Sequence, residues 1–267
     1  MEKNLKVIIA CGGTGGHLYP GIALGEDLSL RYSAEVVYAV GKNDRSVGIL
    51  KSKNFRIAEF PSAPFPRKGW RIITRGSQFL YRNFYGVLAA LSFIRSFRPD
   101  IVVGMGAYVS FPVILAAKIF RIPVLIHEQN SVPGLANRFL SVFADRIAVS
   151  FPSSAVYFGG KKVIQTGNPV RREIALNADM GRRNPSRFGL AADKFTVLVM
   201  GGSQGASGIN RSVANRGFLK KVFEMSSPDG IQFIHITGER DYEVVKQIYK
   251  SLGVRAAVYP YLAEEMS

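Results

Sequence analysis

Two short glycine loops carry the residues best able to do chemistry. Cys11-Gly12-Gly13-Thr14-Gly15-Gly16-His17 follows one apolar run, and Gly201-Gly202-Ser203-Gln204-Gly205-Ala206 follows another. Glycines there let the backbone turn tightly and aim N–H groups at an anion beside a helix N-terminus. Neither is a Walker A loop, because no Gly-Lys-Ser/Thr follows. Gly13-Thr14-Gly15 meets Leu18 where a dinucleotide fingerprint needs its third glycine. One such loop alone serves equally well as a strand-helix turn without ligand. Two, in two halves of the chain, favour a cleft with phosphate on at least one side. His17 closes the first loop at the head of the next helix. The positive end of that helix disfavours an imidazolium, so a neutral ring acting as base is one reading. A ring that caps local backbone is the other.

The elements that must position these residues alternate along the chain. Short β-branched runs at residues 6–10, 35–40, 55–60, 101–104, 124–127, 146–150 and 163–166 read as strands. Amphipathic patterns at 18–31, 71–97, 111–120 and 133–141 read as helices between them. Fully apolar strands alternating with helices predict a parallel sheet covered on both faces. A polar stretch at 167–194, with Pro169, Pro185 and several arginines, reads as an interdomain connection. The alternation then resumes: strand 196–200, helix 209–223, strand 231–237, helix 242–252, strand 256–259. Three strands make a small sheet, and the second domain reads as incomplete. The expected domains are 1–166 and 167–267.

Composition narrows the classes. The 267 residues are 47% hydrophobic, enough for a buried core, and 35 Lys+Arg against 19 Asp+Glu leave +16. That excess favours anionic partners: nucleic acid, an acidic membrane surface or phosphorylated substrates. The single Cys11 excludes an intramolecular disulfide and suits a reducing compartment. The apolar run before Cys11 is too short for a secretory signal, and no stretch approaches the roughly 18 apolar residues of a membrane span. A soluble or peripheral protein is expected.

Five segments resemble the MurG family, the undecaprenyl-diphospho-muramoylpentapeptide N-acetylglucosaminyltransferases of glycosyltransferase family 28. They are Gly12 to Pro20, Gly104-Met105-Gly106-Ala107-Tyr108-Val109-Ser110, His127-Glu128-Gln129-Asn130 continuing to Arg138, Gly167-Asn168-Pro169-Val170-Arg171, and Gly201 to Ala206. All occur in the family's order. The resemblance implies a GT-B fold of two Rossmann-like domains, and transfer of N-acetylglucosamine from UDP-GlcNAc to the muramoyl sugar of lipid I, giving lipid II. It implies donor contacts at Thr14, Gly15, Gly16, Asn130, Arg171, Ser203, Gln204 and Leu262. It places Gly104, Gly106 and Tyr108 on the acceptor side, with His17 and Glu128 at the reacting centre. No cofactor is implied. The family continues beyond residue 267, so this chain alone is expected to bind UDP-GlcNAc poorly. Ala107 and Phe111 stand where the family often has glycine, which touches acceptor fit and not the reaction class.

His17 is the expected base, with Glu128 orienting it or positioning the acceptor. Alternatively, Glu128 and Asn130 only organise their strand-helix turn. No Asp-x-Asp pair occurs, so transfer is expected to be metal-independent and inverting. Trp70, Arg71, Arg75, Phe79 and Arg82 lie in an aromatic, basic segment in which Asp100 is the sole acid between Pro61 and Arg121. Arg71, Arg75, Gln78 and Arg82 share one helical face, with Ile72, Leu80, Val87, Leu91 and Ile94 displaced from it. This is the pattern of an interfacial helix attracted to acidic lipids, or of an ordinary helix packing its apolar side on the sheet. The cytoplasmic face of the bacterial plasma membrane is the expected location. A dinucleotide-dependent oxidoreductase competes on the first loop, but no clear ribose-binding acid follows Val40. A basic nucleic-acid-binding protein competes on charge, but it leaves the paired loops unexplained.

Overall fold

The computed structural model describes residues 4–64, 72–159, 162–179, 185–202, 205–225 and 230–262. They form two compact units, Met1–Arg172 and Glu173–Ser267.

In the first unit, strands β1 (Lys6–Ala10), β2 (Glu35–Gly41), β3 (Ile57–Phe60), β4 (Ile101–Gly104), β5 (Val124–Glu128), β6 (Arg146–Val149) and β7 (Val163–Gln165) make one sheet in the order β3-β2-β1-β4-β5-β6-β7. Every neighbouring pair is parallel. Parallel strands need crossovers, supplied by helices α1 (Gly15–Tyr32), α2 (Ser46–Ser52), α3 (Ile72–Phe97), α4 (Ser110–Ile119) and α5 (Leu135–Leu140). Alternation along β1 divides the core. Val7 and Ile9 join Leu18, Ile22 and Leu50 beneath α1 and α2, while Ile8 and Ala10 join Ala90, Ile94, Val113 and Ala117 beneath α3 and α4. Both faces are therefore covered, as the apolar strands predict. Helix α2 has no counterpart among the expected helices.

Helix α3 divides its residues in a way that periodicity alone did not resolve. Asn83, Ala90, Ile94 and Phe97 are buried, whereas Leu80, Tyr81, Phe84, Tyr85 and Leu88 are exposed. Leu80, displaced from the arginine face in the sequence pattern, is 68% exposed. Also exposed are the paired rings of Tyr81 and Tyr85, 4.6 Å apart, and Arg82. No helix among the described residues is long and apolar enough to cross a membrane.

In the second unit, which begins within α6 (Arg172–Asp179), strands β8 (Phe195–Met200), β9 (Ile231–Ile236) and β10 (Ala256–Tyr259) form a parallel sheet of order β10-β9-β8. The helix expected at 209–223 is two helices, α7 (Ser207–Val213) and α8 (Arg216–Met225). The break is at Asn215, whose Oδ1 accepts the N–H groups of Gly217 and Phe218 at 2.9 and 3.3 Å and so caps a new start. With α9 (Tyr242–Ser251), α8 covers one sheet face, packing Leu219, Val245 and Tyr249 on Val199 and Phe233. On the opposite face Leu198 and Met200 remain 51% and 44% exposed.

Candidate functional site

In an open parallel sheet, ligands bind beyond the carboxyl ends of the strands where the strand order reverses. Here that point lies between β1 and β4. The loops leaving β1, β4 and β5 converge on it, and they carry three of the segments singled out in the sequence.

His17 stands in the first turn of α1, half-buried. Its Nδ1 lies 3.0 Å from Oε1 of Gln129, on the loop after β5. Its Cε1 lies 3.2 Å from where a Cβ on Gly106 would stand. Gly106, on the loop after β4, has φ +90, a left-handed conformation that favours glycine. The ring is thus bracketed by two loops far away in sequence. Gln129 continues the contact inward: its Nε2 donates to the Met105 carbonyl at 3.2 Å and lies 3.1 Å from Nδ1 of His127. His127 is buried, and its Nε2 lies 3.0 Å from the Gly167 carbonyl. Burial lowers the His127 pKa below its ordinary value, against the opposing pull of that carbonyl and of Glu128.

Glu128 is not the group that holds His17. It is 1% exposed, and both carboxylate oxygens are committed to its own turn. Oε1 accepts the backbone N–H and side-chain amide of Asn130 at 2.9 and 3.0 Å. Oε2 accepts Gly134 N–H at 3.2 Å and Asn137 Nδ2 at 2.9 Å. Of the two expectations for Glu128 and Asn130, the geometry displays the organisation of the turn. Asn130 itself is exposed.

The first glycine loop is braced by a residue that sequence reading passed over. Asp44, just beyond β2, accepts Gly13 N–H at 2.7 Å with one oxygen, and Ser46 N–H and Oγ at 2.9 and 2.7 Å with the other. One donor of the loop is therefore already used by the protein. Gly15 and Gly16 open α1, so their N–H groups have no intrahelical acceptor. Asp44 is an acid after β2, but it serves the loop; only its position beyond Val40 could have drawn attention to it. Cys11, at the end of β1, is fully buried, and burial followed by the Asp44 charge raises its thiol pKa far above the ordinary range. It is no nucleophile.

Tyr108 is 48% exposed beside Gly106 on the β4 loop, and Gly104 closes β4 itself. The Arg171 guanidinium lies over the Tyr19 ring, 4.7 Å from its centroid, two residues along α1 from His17. In the second unit, Gly202 and Gly205 have φ +78 and +74, and a Cβ on Gly205 would overlap the Thr237 carbonyl. Leu262 is buried at 5%. Ser203, Gln204, Trp70 and Arg71 lie outside the described residues, and Arg75 is known only as part of α3. Among the described residues, no three His, Cys, Asp or Glu side chains are grouped to hold a metal ion.

A seven-stranded parallel sheet with its polar site at the strand-order reversal, followed by a second parallel α/β unit, defines a GT-B-type protein. The chain belongs to glycosyltransferase family 28: residues 7–149 match the family's N-terminal domain and residues 196–267 its C-terminal domain. It is 35% identical over 261 residues to the UDP-N-acetylglucosamine–N-acetylmuramyl-(pentapeptide) pyrophosphoryl-undecaprenol N-acetylglucosamine transferase of Thermodesulfovibrio yellowstonii, covering 97% of this chain and 68% of that protein. To the protein of the same name from Pelobacter propionicus it is 39% identical over 280 residues, covering 98% and 72%. Among solved structures it is similar in fold to Acinetobacter baumannii MurG, with a TM-score of 0.66 at 23% identity, covering 98% of this chain and 68% of that one. A UDP-GlcNAc 2-epimerase from Neisseria meningitidis, bound to UDP-GlcNAc, gives the same TM-score at 14% identity, covering 98% and 73%.

Proposed function

We propose that this glycosyltransferase moves N-acetylglucosamine from UDP-GlcNAc to the C4 hydroxyl of the muramoyl sugar of lipid I, forming lipid II, with inversion and without a metal ion. The relatives at 35% and 39% identity carry that donor and that class of acceptor in their names. The observation that carries the reading is the setting of His17, whose Nδ1 is engaged by Gln129 and whose ring is bracketed by Gly106 at the reversal point of the sheet.

In this mechanism His17 takes the proton of the acceptor hydroxyl. The oxygen attacks the anomeric carbon from the face opposite the diphosphate. The bond to UDP breaks, and UDP leaves with the electron pair. Arg171, resting over the Tyr19 ring, offers a fork of donors to the departing diphosphate. Thr14, Gly15, Gly16 and Asn130, with Ser203, Gln204 and Leu262 of the second unit, complete the donor contacts. Gly104, Gly106 and Tyr108 serve the acceptor. Glu128 acts through the loop that it orders. Without an Asp-x-Asp pair, the leaving charge falls to Arg171 and backbone donors.

The exposed face of α3, with Leu80, Tyr81, Phe84, Tyr85, Leu88 and Arg82, would rest on an anionic membrane surface, the cytoplasmic face of the plasma membrane, where a lipid-linked acceptor is presented. No nucleic-acid partner is proposed.

The test is transfer of labelled GlcNAc to a lipid I analogue, by this chain and by a C-terminally extended version side by side. His17→Ala should lower turnover by about 10²- to 10⁴-fold, the usual contribution of a general base. Near-normal turnover would remove His17 from this role. Stabilisation by NAD(H), and none by UDP in the extended version, would overturn the reaction class.

A further inference from the structure

The hydrogen bonds behind His17 have a polarity that the atoms themselves dictate. The Gln129 side-chain amide faces the Met105 backbone carbonyl at 3.2 Å, with the His127 carbonyl farther off at 3.4 Å and accepting instead from Asn137 Nδ2 at 3.1 Å. Carbonyl oxygens only accept, so the nitrogen of the amide must point at that of Met105. Oε1 is thereby turned toward His17 Nδ1 at 3.0 Å. An amide oxygen also only accepts, so Nδ1 of His17 carries a proton. In the neutral ring Nε2 is then the bare lone pair.

The next link agrees. The Gly167 carbonyl, 3.0 Å from His127 Nε2, requires a proton on that nitrogen. In a neutral ring this leaves His127 Nδ1 as an acceptor, and Gln129 Nε2 supplies it at 3.1 Å. Burial favours the neutral form of His127. Donation therefore runs one way: His17 to Gln129, Gln129 to His127, His127 to Gly167. A hydrogen-bonded chain with one polarity, partly buried, strengthens each of its bonds.

The consequence for chemistry is specific. A free neutral imidazole favours its proton on Nε2, the form that cannot accept a proton there. The relay inverts that preference at His17 while favouring it at His127. We propose that Gln129, backed by His127, is the positioning residue that holds His17 as the Nδ1–H tautomer, with Nε2 open to the acceptor hydroxyl. The role in turnover rests on His17 as base; the tautomer assignment does not.

The sequence holds three histidines, so the imidazoles can be read individually. The third, His235, faces Asn210 Oδ1 with Nε2 at 3.1 Å, while the Asn210 amide nitrogen donates to the Thr237 carbonyl at 2.8 Å. It is therefore also an Nε2–H ring. Long-range proton–nitrogen NMR on the histidine-labelled chain at about pH 9, above the ordinary histidine pKa, should show one Nδ1–H ring and two Nε2–H rings. His17→Gln should remove the Nδ1–H pattern. Gln129→Leu should move His17 to the Nε2–H form, whereas Gln129→Glu, which keeps an acceptor at His17, should preserve Nδ1–H. In the transfer assay Gln129→Leu should lower kcat by about ten- to a hundredfold, within what a general base contributes, with the KM for UDP-GlcNAc little changed.

An Nε2–H His17 in the unaltered chain, or an Nδ1–H His17 that survives Gln129→Leu, overturns the proposal. So does normal kcat in Gln129→Leu when His17→Ala is inactive. An active His17→Ala instead overturns His17 as base and with it the kinetic role of Gln129, leaving the tautomer to the spectrum.

Discussion

Glu128 and Asn137 are hydrogen bonded at 2.9 Å with both side chains buried, tying the end of β5 to the first turns of α5. Asn137 Nδ2 also reaches the His127 carbonyl at 3.1 Å and stands 3.0 Å from where a Gly106 Cβ would lie. The pair therefore braces the loop that holds Gln129 and touches the loop that brackets His17. In the proposed mechanism, Glu128 acts through this brace.

Glu128→Gln tests the brace. Each carboxylate oxygen accepts two donors, so an amide must present its NH2 group to donors whichever way it turns. The expected cost is about 3 kcal/mol, the scale of a charged hydrogen bond replaced by a buried conflict. Urea denaturation should show it as a lower midpoint at unchanged slope, accompanied by reduced turnover.

Gly106→Ala separates stability from geometry. The strained φ costs about 1 kcal/mol, but the new methyl meets Asn137 Nδ2 at 3.0 Å and His17 Cε1 at 3.2 Å. His17 must shift by some tenths of an ångström. Turnover should fall by about tenfold or more, while melting falls by about a few degrees. Unchanged turnover would show that the site tolerates displacement of the ring.

Tyr19→Leu removes the surface on which Arg171 lies. A cation–π contact of this kind is worth about 0.5–1 kcal/mol. The KM for UDP-GlcNAc should rise by about two- to fivefold, and Arg171→Ala should raise it further. Steady-state kinetics at varied donor concentration measure both.

His235 makes the second unit acid-sensitive. Burial lowers its pKa from 6.5 to about 4, so the unfolded chain binds a proton that the folded unit resists. Its contribution is complete above the ordinary histidine value and is lost as pH falls from there toward about 4. In His235→Gln, which cannot take up a proton, the melting temperature should fall less on acidification than in the unaltered chain. Calorimetry across that range reads the difference, and equal slopes would contradict it.

Much of the site was legible because its markers are local. A histidine closing a glycine loop stands out in a sequence, and Gly106 lies in a segment that resembles the family, though its φ of +90 is visible only in the fold. The break between α7 and α8 was less visible: hydrophobic spacing runs on through it, and one side chain, Asn215, decides the stop. Asp44 escaped notice because its tie to the glycine loop is a single bond to Gly13, 31 residues away. The two readings of α3 stayed open in the sequence because a stripe of apolar residues, Leu80 among them, looks alike whether it faces a sheet or the outside.

The sequence by itself determined that strands and helices alternate, that the strands of the first unit are buried on both faces, and that five segments resemble the family. The first two follow from residue spacing, which acts over a few positions; the third follows from motifs that resemble the family's. The tertiary structure alone decided that β1 lies between β2 and β4, and so that His17 meets Gln129 across 112 residues while Glu128 turns inward to its own loop. A side-chain hydrogen bond needs its partners within about 3 Å, and only the order of strands in the sheet sets which loops come that close.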